Sequence, residues 1–148
     1  ERGYDLLITQ RVHSTILDIE DMGLYGLITP LSWFQHIRRP SGKADVNAIV
    51  FLGFIVYWYT PIIKRGEHKE IISTRKRFAA DLWQQSYKDL GGSLGLSLQQ
   101  VRDAVALLKE LGLVKTQLRS VKWKNTRLVN VQYMEPVVKE LKRITHPV

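Results

Sequence analysis

Four polar side chains in one short stretch could pair with the edges of nucleic-acid bases. They are Gln99, Gln100, Arg102 and Asp103. Glutamine can pair with adenine and arginine with guanine, whereas a carboxylate can accept a hydrogen bond from the amino group of cytosine. Because a carboxylate also repels phosphates, Asp103 could instead pair with a nearby cation such as Lys88. The stretch predicts base contacts, and the alternative is an ordinary solvated helix face.

Cations farther along the chain could bind the phosphates of the same ligand. No acidic residue stands between Glu110 and Glu135, so the positive charges of this interval are not balanced locally. Lysine and arginine reach phosphates or the minor groove, and an indole ring can lie against a sugar. The expected contacts are Arg119, Lys122, Trp123, Lys124 and Arg127. The alternative is a soluble hairpin whose Trp123 folds back onto its own strands.

A third group of side chains begins a short segment upstream. Ser86, Tyr87 and Lys88 stand where a helix is expected to start, and the amino end of a helix commonly meets a phosphate. We therefore expect these three residues to contact a nucleic-acid backbone. Ser86 could equally serve only as the cap of its helix.

Catalytic and metal chemistry find little support in the sequence. The histidines His13, His36, His68 and His146 are widely scattered, and the chain has no cysteine. Local spacing therefore gives neither a paired-histidine metal motif nor a thiolate site. The glycines of 91–95 lack the lysine that follows a phosphate-binding glycine loop. We expect no enzyme activity, no metal and no cofactor.

Caps and periodicity indicate the helices that would carry these side chains. Ser97 precedes apolar residues spaced by three and four, and Gly112 follows them. This pattern is typical of a capped helix over about 98–111 that ends at a left-handed glycine. A shorter helix over about 86–93 and a turn containing glycine come before it. Two helices joined by such a turn predict a helix-turn-helix.

A β-hairpin is predicted immediately after these helices. Residues 113–123 are rich in β-branched and apolar side chains, residues 127–133 alternate, and residues 124–126 are turn-like. The apolar spacing after Pro136 predicts a closing amphipathic helix over 135–146. The cations described above would therefore lie around the tip of the hairpin.

The first half of the chain predicts further elements. A strand is expected over 4–12, a serine-capped helix over 14–22, and a helix opened by proline over 30–37. A basic turn over 38–43 and an exposed connection over 64–70 flank the longest apolar run. These elements would form a helical extension to the second half.

The longest apolar run covers residues 48–59, well short of the roughly 18 residues that a membrane span needs. It predicts a buried helix, which must be covered by the rest of the domain or by a second copy of the chain. We see no signal peptide and no membrane span in the sequence. The resulting expectation is a cytoplasmic, nucleoid-associated protein without membrane contact.

Positive charge is concentrated in the second half of the chain. Residues 1–74 contain eight Lys/Arg and eight Asp/Glu, whereas residues 75–148 contain fourteen and six. The whole net charge of +8 therefore belongs to the second half. A polyanion bound there would release counterions, so its affinity would fall steeply with salt.

Helix, turn, helix and basic hairpin in this order are typical of a winged helix-turn-helix. The sequence over 108–114, together with Trp83 and the 48–59 helix, resembles the N-terminal winged-helix domain of phage and plasmid replication-initiation proteins, including DnaD-type replisome organisers. The resemblance implies binding of double-stranded DNA, often by a homodimer, here through the 48–59 helix, and contact with replication proteins. It also implies a bacterial, phage or plasmid origin. Many domains of this pattern have an arginine where this chain has Asp103.

The expected fold class is α+β, mainly α, with one winged-helix domain over 1–148. Residues 1–63 would be a helical extension packed on the domain, 71–134 the helix-turn-helix and wing, and 135–146 the closing helix. The ending over 108–114 also occurs in MarR-type repressors, so transcription control stays open as a function. A winged helix used for protein–protein interaction stays open as well.

Overall fold

The computed structural model describes residues 14–146. Within that range the chain is α+β, with six helices and two small antiparallel sheets. The strand predicted over 4–12 lies outside the described residues. The helices are α1 (14–21), α2 (Trp33–His36), α3 (Val46–Tyr59), α4 (Tyr87–Leu94), α5 (Leu98–Glu110) and α6 (Val138–Thr145). The strands are β1 (Ile62–Arg65), β2 (Ile71–Arg75), β3 (Trp83–Gln84), β4 (Val114–Trp123) and β5 (Thr126–Pro136).

Helix α3 forms the centre of the core because it is apolar on nearly every face. Its first turn is capped by Asp45, whose carboxylate accepts from the backbone N–H of Ala48 at 3.1 Å. Phe51, Leu52 and Ile55 are fully buried, and the helix packs against α5 and β5. The predicted buried helix is confirmed. It belongs to the same core as α5.

No helix within residues 14–146 combines the length and the apolar composition needed to cross a membrane. The N-terminal helix predicted over 14–22 is present as α1. The helix predicted over 30–37 is shorter, because only Trp33–His36 are helical. Trp33 joins this short helix to α6, since its indole N–H donates to the hydroxyl of Thr145 at 2.9 Å.

The exposed connection predicted over 64–70 is instead the turn of a β-hairpin. Strands β1 and β2 pair antiparallel, and nearly all of their residues are exposed. Lys69 takes a left-handed conformation with φ 65°. The carboxylate of Glu70 accepts from the N–H of His68 at 3.0 Å and so supports the turn. Because neither strand buries one face, the sequence lacks the alternation that predicts strands.

Helices α4 and α5 meet at a turn that contains two glycines with distinct roles. Gly95 ends α4 in the left-handed conformation, with φ 69°. A Cβ on Gly91 would lie 2.5 Å from the carbonyl oxygen of Leu96, so the chain after α4 passes directly over this glycine. Both helices begin at a serine cap, and their bounds lie within one residue of those expected.

The second sheet has the strand order β3-β5-β4, with β5 in the middle. Lys124 and Asn125 form the two-residue turn between β4 and β5, and both have positive φ, as the common hairpin turn requires. The predicted hairpin and closing helix are confirmed. Strand β3, which was not predicted, pairs with β5 and is also linked to it through the side chain of Tyr59. The phenol of Tyr59 accepts from the N–H of Trp83 at 2.9 Å and donates to the carbonyl of Met134.

Candidate nucleic-acid interface

Helix α5 presents a polar face to solvent at its amino end. Val101, Ala104 and Leu108 are buried against the core, and the side chains between them point outward. Gln99, Gln100, Arg102 and Asp103 are all exposed. The four predicted base-contacting residues therefore share an accessible surface.

Two of the side chains predicted on α5 also bond within the helix. Gln100 completes a capping box, because its side-chain oxygen accepts from the N–H of Ser97 at 2.8 Å while its own N–H donates to the serine hydroxyl. The bond from the Ser97 N–H occupies the carbonyl oxygen of the Gln100 amide and holds the side chain close to the amino end of the helix. Asp103 accepts from the amide of Gln99 at 2.8 Å, so its partner is Gln99 and not Lys88. Gln100 therefore has a role in the fold, and its contact with a base stays a prediction.

The side chain of Tyr87 lies near Gln132 of β5. Tyr87 opens α4 and lines one surface groove together with Gln132. Burial raises the pKa of Tyr87, while the side chain of Gln132 and the charge of Arg102 on α5 act in the opposite direction. Gln132 was not predicted, because nothing in the alternation of β5 distinguishes it from its neighbours.

The amino end of α4 carries a capping serine, Ser86, and an exposed cation, Lys88. The hydroxyl of Ser86 accepts from the N–H of Asp89 at 3.2 Å, so Ser86 is a cap, the alternative role considered for it. Lys88 is exposed and has no acidic partner within 4.0 Å among the described residues. The positive charge of Lys88 is therefore accessible beside Tyr87.

Two cations lie directly opposite each other near the end of the hairpin. Lys122 pairs in register with Arg127. Because side chains alternate along a strand, Lys122 lies on the face of β4 that carries Leu118, whose partner is Gln132. The pair Lys122–Arg127 therefore lies on the same side of the hairpin as Gln132, beyond a β-bulge between Arg119 and Val121. Like charges directly opposite each other destabilise a hairpin unless an anion lies between them.

Arg119 forms an ion pair within the fold, and its contact with a nucleic acid stays a prediction. Its guanidinium binds both carboxylate oxygens of Asp81, at 2.6 and 2.9 Å, and lies 4.6 Å from the ring centre of Tyr133. The hydrogen bond and charge of Arg119 lower the pKa of Asp81 to about 2. Arg119 is therefore neutralised and lies on the opposite face of the sheet from Lys122. No local sequence signal links residues 38 positions apart.

Trp123 and Lys124 occupy the tip of the hairpin. Trp123 is 60% exposed, so it does not fold back onto its own strands. The ammonium group of Lys124 lies 4.6 Å from the centre of the Trp123 ring. Both side chains are accessible at the point of the hairpin farthest from the core.

Neither a metal site nor a match to a known protein adds a role to these residues. Among the residues that the structure describes, no group of three or more His, Asp or Glu is placed to hold a metal ion. No protein-family model, curated protein or solved structure matched the chain. The candidate interface is therefore argued from its geometry alone.

We call it the basic face and define it as Tyr87, Lys88, Gln99, Arg102, Asp103, Lys122, Arg127 and Gln132, with Lys124 at the adjoining hairpin tip.

Proposed function

We propose that the chain is a winged-helix protein that binds double-stranded DNA with its basic face. The order β3-α4-α5-β4-β5 and the sheet order β3-β5-β4 support this proposal, because a winged helix has a helix-turn-helix followed by a hairpin in one small sheet. In the proposed complex, α5 enters the major groove and the hairpin lies along the backbone.

The observation that carries the proposal is the register of the hairpin, which places Lys122 opposite Arg127 on the side of Gln132, next to Tyr87. Lys122 and Arg127 can bind phosphates, and the exposed Arg102 of α5 can read guanine. The repulsion within the Lys122–Arg127 pair would be relieved by a bound phosphate. A duplex ligand therefore gives one explanation for both the exposed polar face of α5 and the charge of the hairpin.

Within DNA binding, we favour a role in replication initiation of the phage or plasmid type. This choice rests on the resemblance of residues 108–114, Trp83 and the 48–59 helix to the domains of such initiators. Control of transcription by a MarR-like regulator is the alternative, and it would use the same basic face. Selection of bound sequences from a random duplex pool, followed by comparison with origins and operators, distinguishes the two roles.

The test of duplex binding is a salt titration of three proteins. The hairpin variant replaces Lys122, Lys124 and Arg127 with alanine, and a control variant replaces Lys109, Lys139 and Lys142, which are exposed on α5 and α6. We expect parent affinity for mixed duplex DNA to fall steeply with salt. The hairpin variant should bind more weakly and lower the slope of log K against log salt by about 3, whereas the control retains the parent slope.

Two results would contradict the proposal. One is a parent protein that shows no salt-dependent binding to any duplex. The other is a hairpin variant that matches both the parent and the control. Arg102→Ala adds a separate test, because we expect it to reduce discrimination between sequences by about 1–3 kcal/mol at one position. An equal loss on every sequence would remove base reading from the proposal and leave backbone binding.

Self-association is a second candidate function, and exposed apolar residues favour it. The predicted dimer contact through the 48–59 helix is left with little free surface, because Val46 alone among the large apolar residues of α3 is largely exposed. A run of apolar side chains over 16–31 is exposed instead, with Tyr25 96% and Leu31 85% exposed. Apolar surface of this extent is typical of protein–protein contacts. Light scattering of the parent and of Tyr25→Ser tests whether this segment forms a homodimer.

A further inference from the structure

One tryptophan of the chain differs from the other three in its exposure to solvent. Trp33 and Trp83 are 2% and 3% exposed, and Trp58 stacks against Trp83 with 5.8 Å between the ring centres. Trp123 is 60% exposed. A large aromatic side chain contributes most to folding when it is buried, so the exposed ring at the hairpin tip contributes little to the core. Its position is better explained by a ligand.

The hairpin holds this ring in an accessible position. The turn at Lys124 and Asn125 has φ values of 47° and 63°, which match the tight turn that fits the twist of a hairpin. Opposite Trp123 stands Thr126, a small residue that leaves the ring uncovered. The only charged group placed over the ring is the ammonium of Lys124, at 4.6 Å, among the contacts of the described residues. A flat apolar surface with an adjacent positive charge is the arrangement on which nucleobases stack.

The ring and the phosphate-binding pair lie on opposite faces of the hairpin. Lys122 and Arg127 are partners in register, and Trp123 follows Lys122, so its side chain points to the other face. A duplex backbone held by Lys122 and Arg127 would therefore not cover the Trp123 ring. A base can reach the ring only after it has left the stack of the duplex.

We infer that Trp123 stacks on an unpaired base, so that the preferred ligand is duplex DNA with an adjoining single-stranded segment. This inference rests on the proposed function, because the duplex must first bind the basic face. Charge favours nucleic acid over an apolar protein partner, since no acidic residue lies between Glu110 and Glu135. A stacked base contributes enough to binding to change affinity by about 5- to 150-fold.

The experiment compares two labelled DNAs, a fully paired duplex and the same duplex with a short central run of unpaired thymines. For the parent we expect at least about 5-fold tighter binding to the DNA with unpaired bases. Trp123→Ala should bring the ratio of the two affinities close to one, and Trp123→Phe should retain part of it. Leu118→Ala is the matched control, because it removes an equally exposed apolar side chain (62%) from the same strand on the other face. Its ratio should equal that of the parent.

Tryptophan fluorescence gives a readout that a purely structural role would not change. Oligothymidylate should quench parent emission, and Trp123→Phe should abolish the quenching, because Trp33 and Trp83 are buried and Trp58 packs on the core stacked against Trp83. Equal affinity of the parent for both DNAs, or an unchanged ratio in Trp123→Ala, overturns the inference and leaves duplex binding intact. A parent that binds neither DNA overturns the proposed function, and this inference with it.

Discussion

At the scale of single residues, Tyr59 shows how one side chain joins the core helix to the sheet. Its phenol accepts from the N–H of Trp83 and donates to the carbonyl of Met134, so it bridges β3 and β5. Tyr59→Phe leaves the Trp83 N–H without this partner. We expect the free energy of unfolding to fall by about 1–3 kcal/mol in urea denaturation. Tyr25→Phe, at a 96% exposed position, should leave it unchanged. Equal stability of the two variants would remove this role of Tyr59.

The ion pair between Asp81 and Arg119 gives a pH prediction. Arg119 lowers the pKa of Asp81 from 3.8 to about 2. A carboxyl whose pKa is lower in the folded state stabilises the fold at higher pH, and this contribution is lost as the pH falls from about 4 towards 2. The effect is small because the Asp81 side chain is 70% exposed. We expect parent stability to fall more between pH 5 and pH 2 than that of Asp81→Asn, measured by thermal unfolding. Parallel curves would show that the pair does not persist in solution.

At the scale of elements, the turn between α4 and α5 gives a prediction with a built-in control. Gly91→Ala places a Cβ about 2.5 Å from the Leu96 carbonyl oxygen, so the turn must open. A Cβ on the neighbouring Gly92 would meet nothing within 4 Å outside its own helix backbone and its chain neighbours, among the described residues. We expect Gly91→Ala to destabilise the protein and weaken DNA binding. Gly92→Ala should raise the free energy of unfolding by up to about 1 kcal/mol, because alanine favours a helix more than glycine does. The same sign for both variants would contradict this view of the turn.

Local signals made the helices of the second half predictable. Ser97, the spaced apolar residues and Gly112 define α5, because a cap, a face and a stop are encoded within a few residues. Ser97 and Gln100 also have the spacing of a capping box, a signal that identifies the structural role of Gln100. The β1–β2 hairpin lacks such a signal, since almost all of its residues are exposed. Its charged sequence resembles that of an ordinary loop.

At the scale of the whole molecule, the sequence predicted where the charge lies but not how it is distributed over the fold. The excess of cations in residues 75–148 is evident from composition. That Arg119 is neutralised by Asp81, whereas Lys122 and Arg127 share a face with Gln132, depends on pairing between distant segments. The placement of Tyr87 beside Gln132 has the same origin. Only tertiary structure brings these groups to one surface.

The most direct measurement of the basic face is a map of backbone amide signals in NMR spectra as a mixed duplex is added. We expect shifts at Tyr87, Lys88, Arg102 and residues 122–127, with little change at residues 16–31 or in the β1–β2 hairpin. Shifts confined to those other segments, or a spectrum that the duplex leaves unaltered at low salt, would contradict the assignment of this surface to DNA.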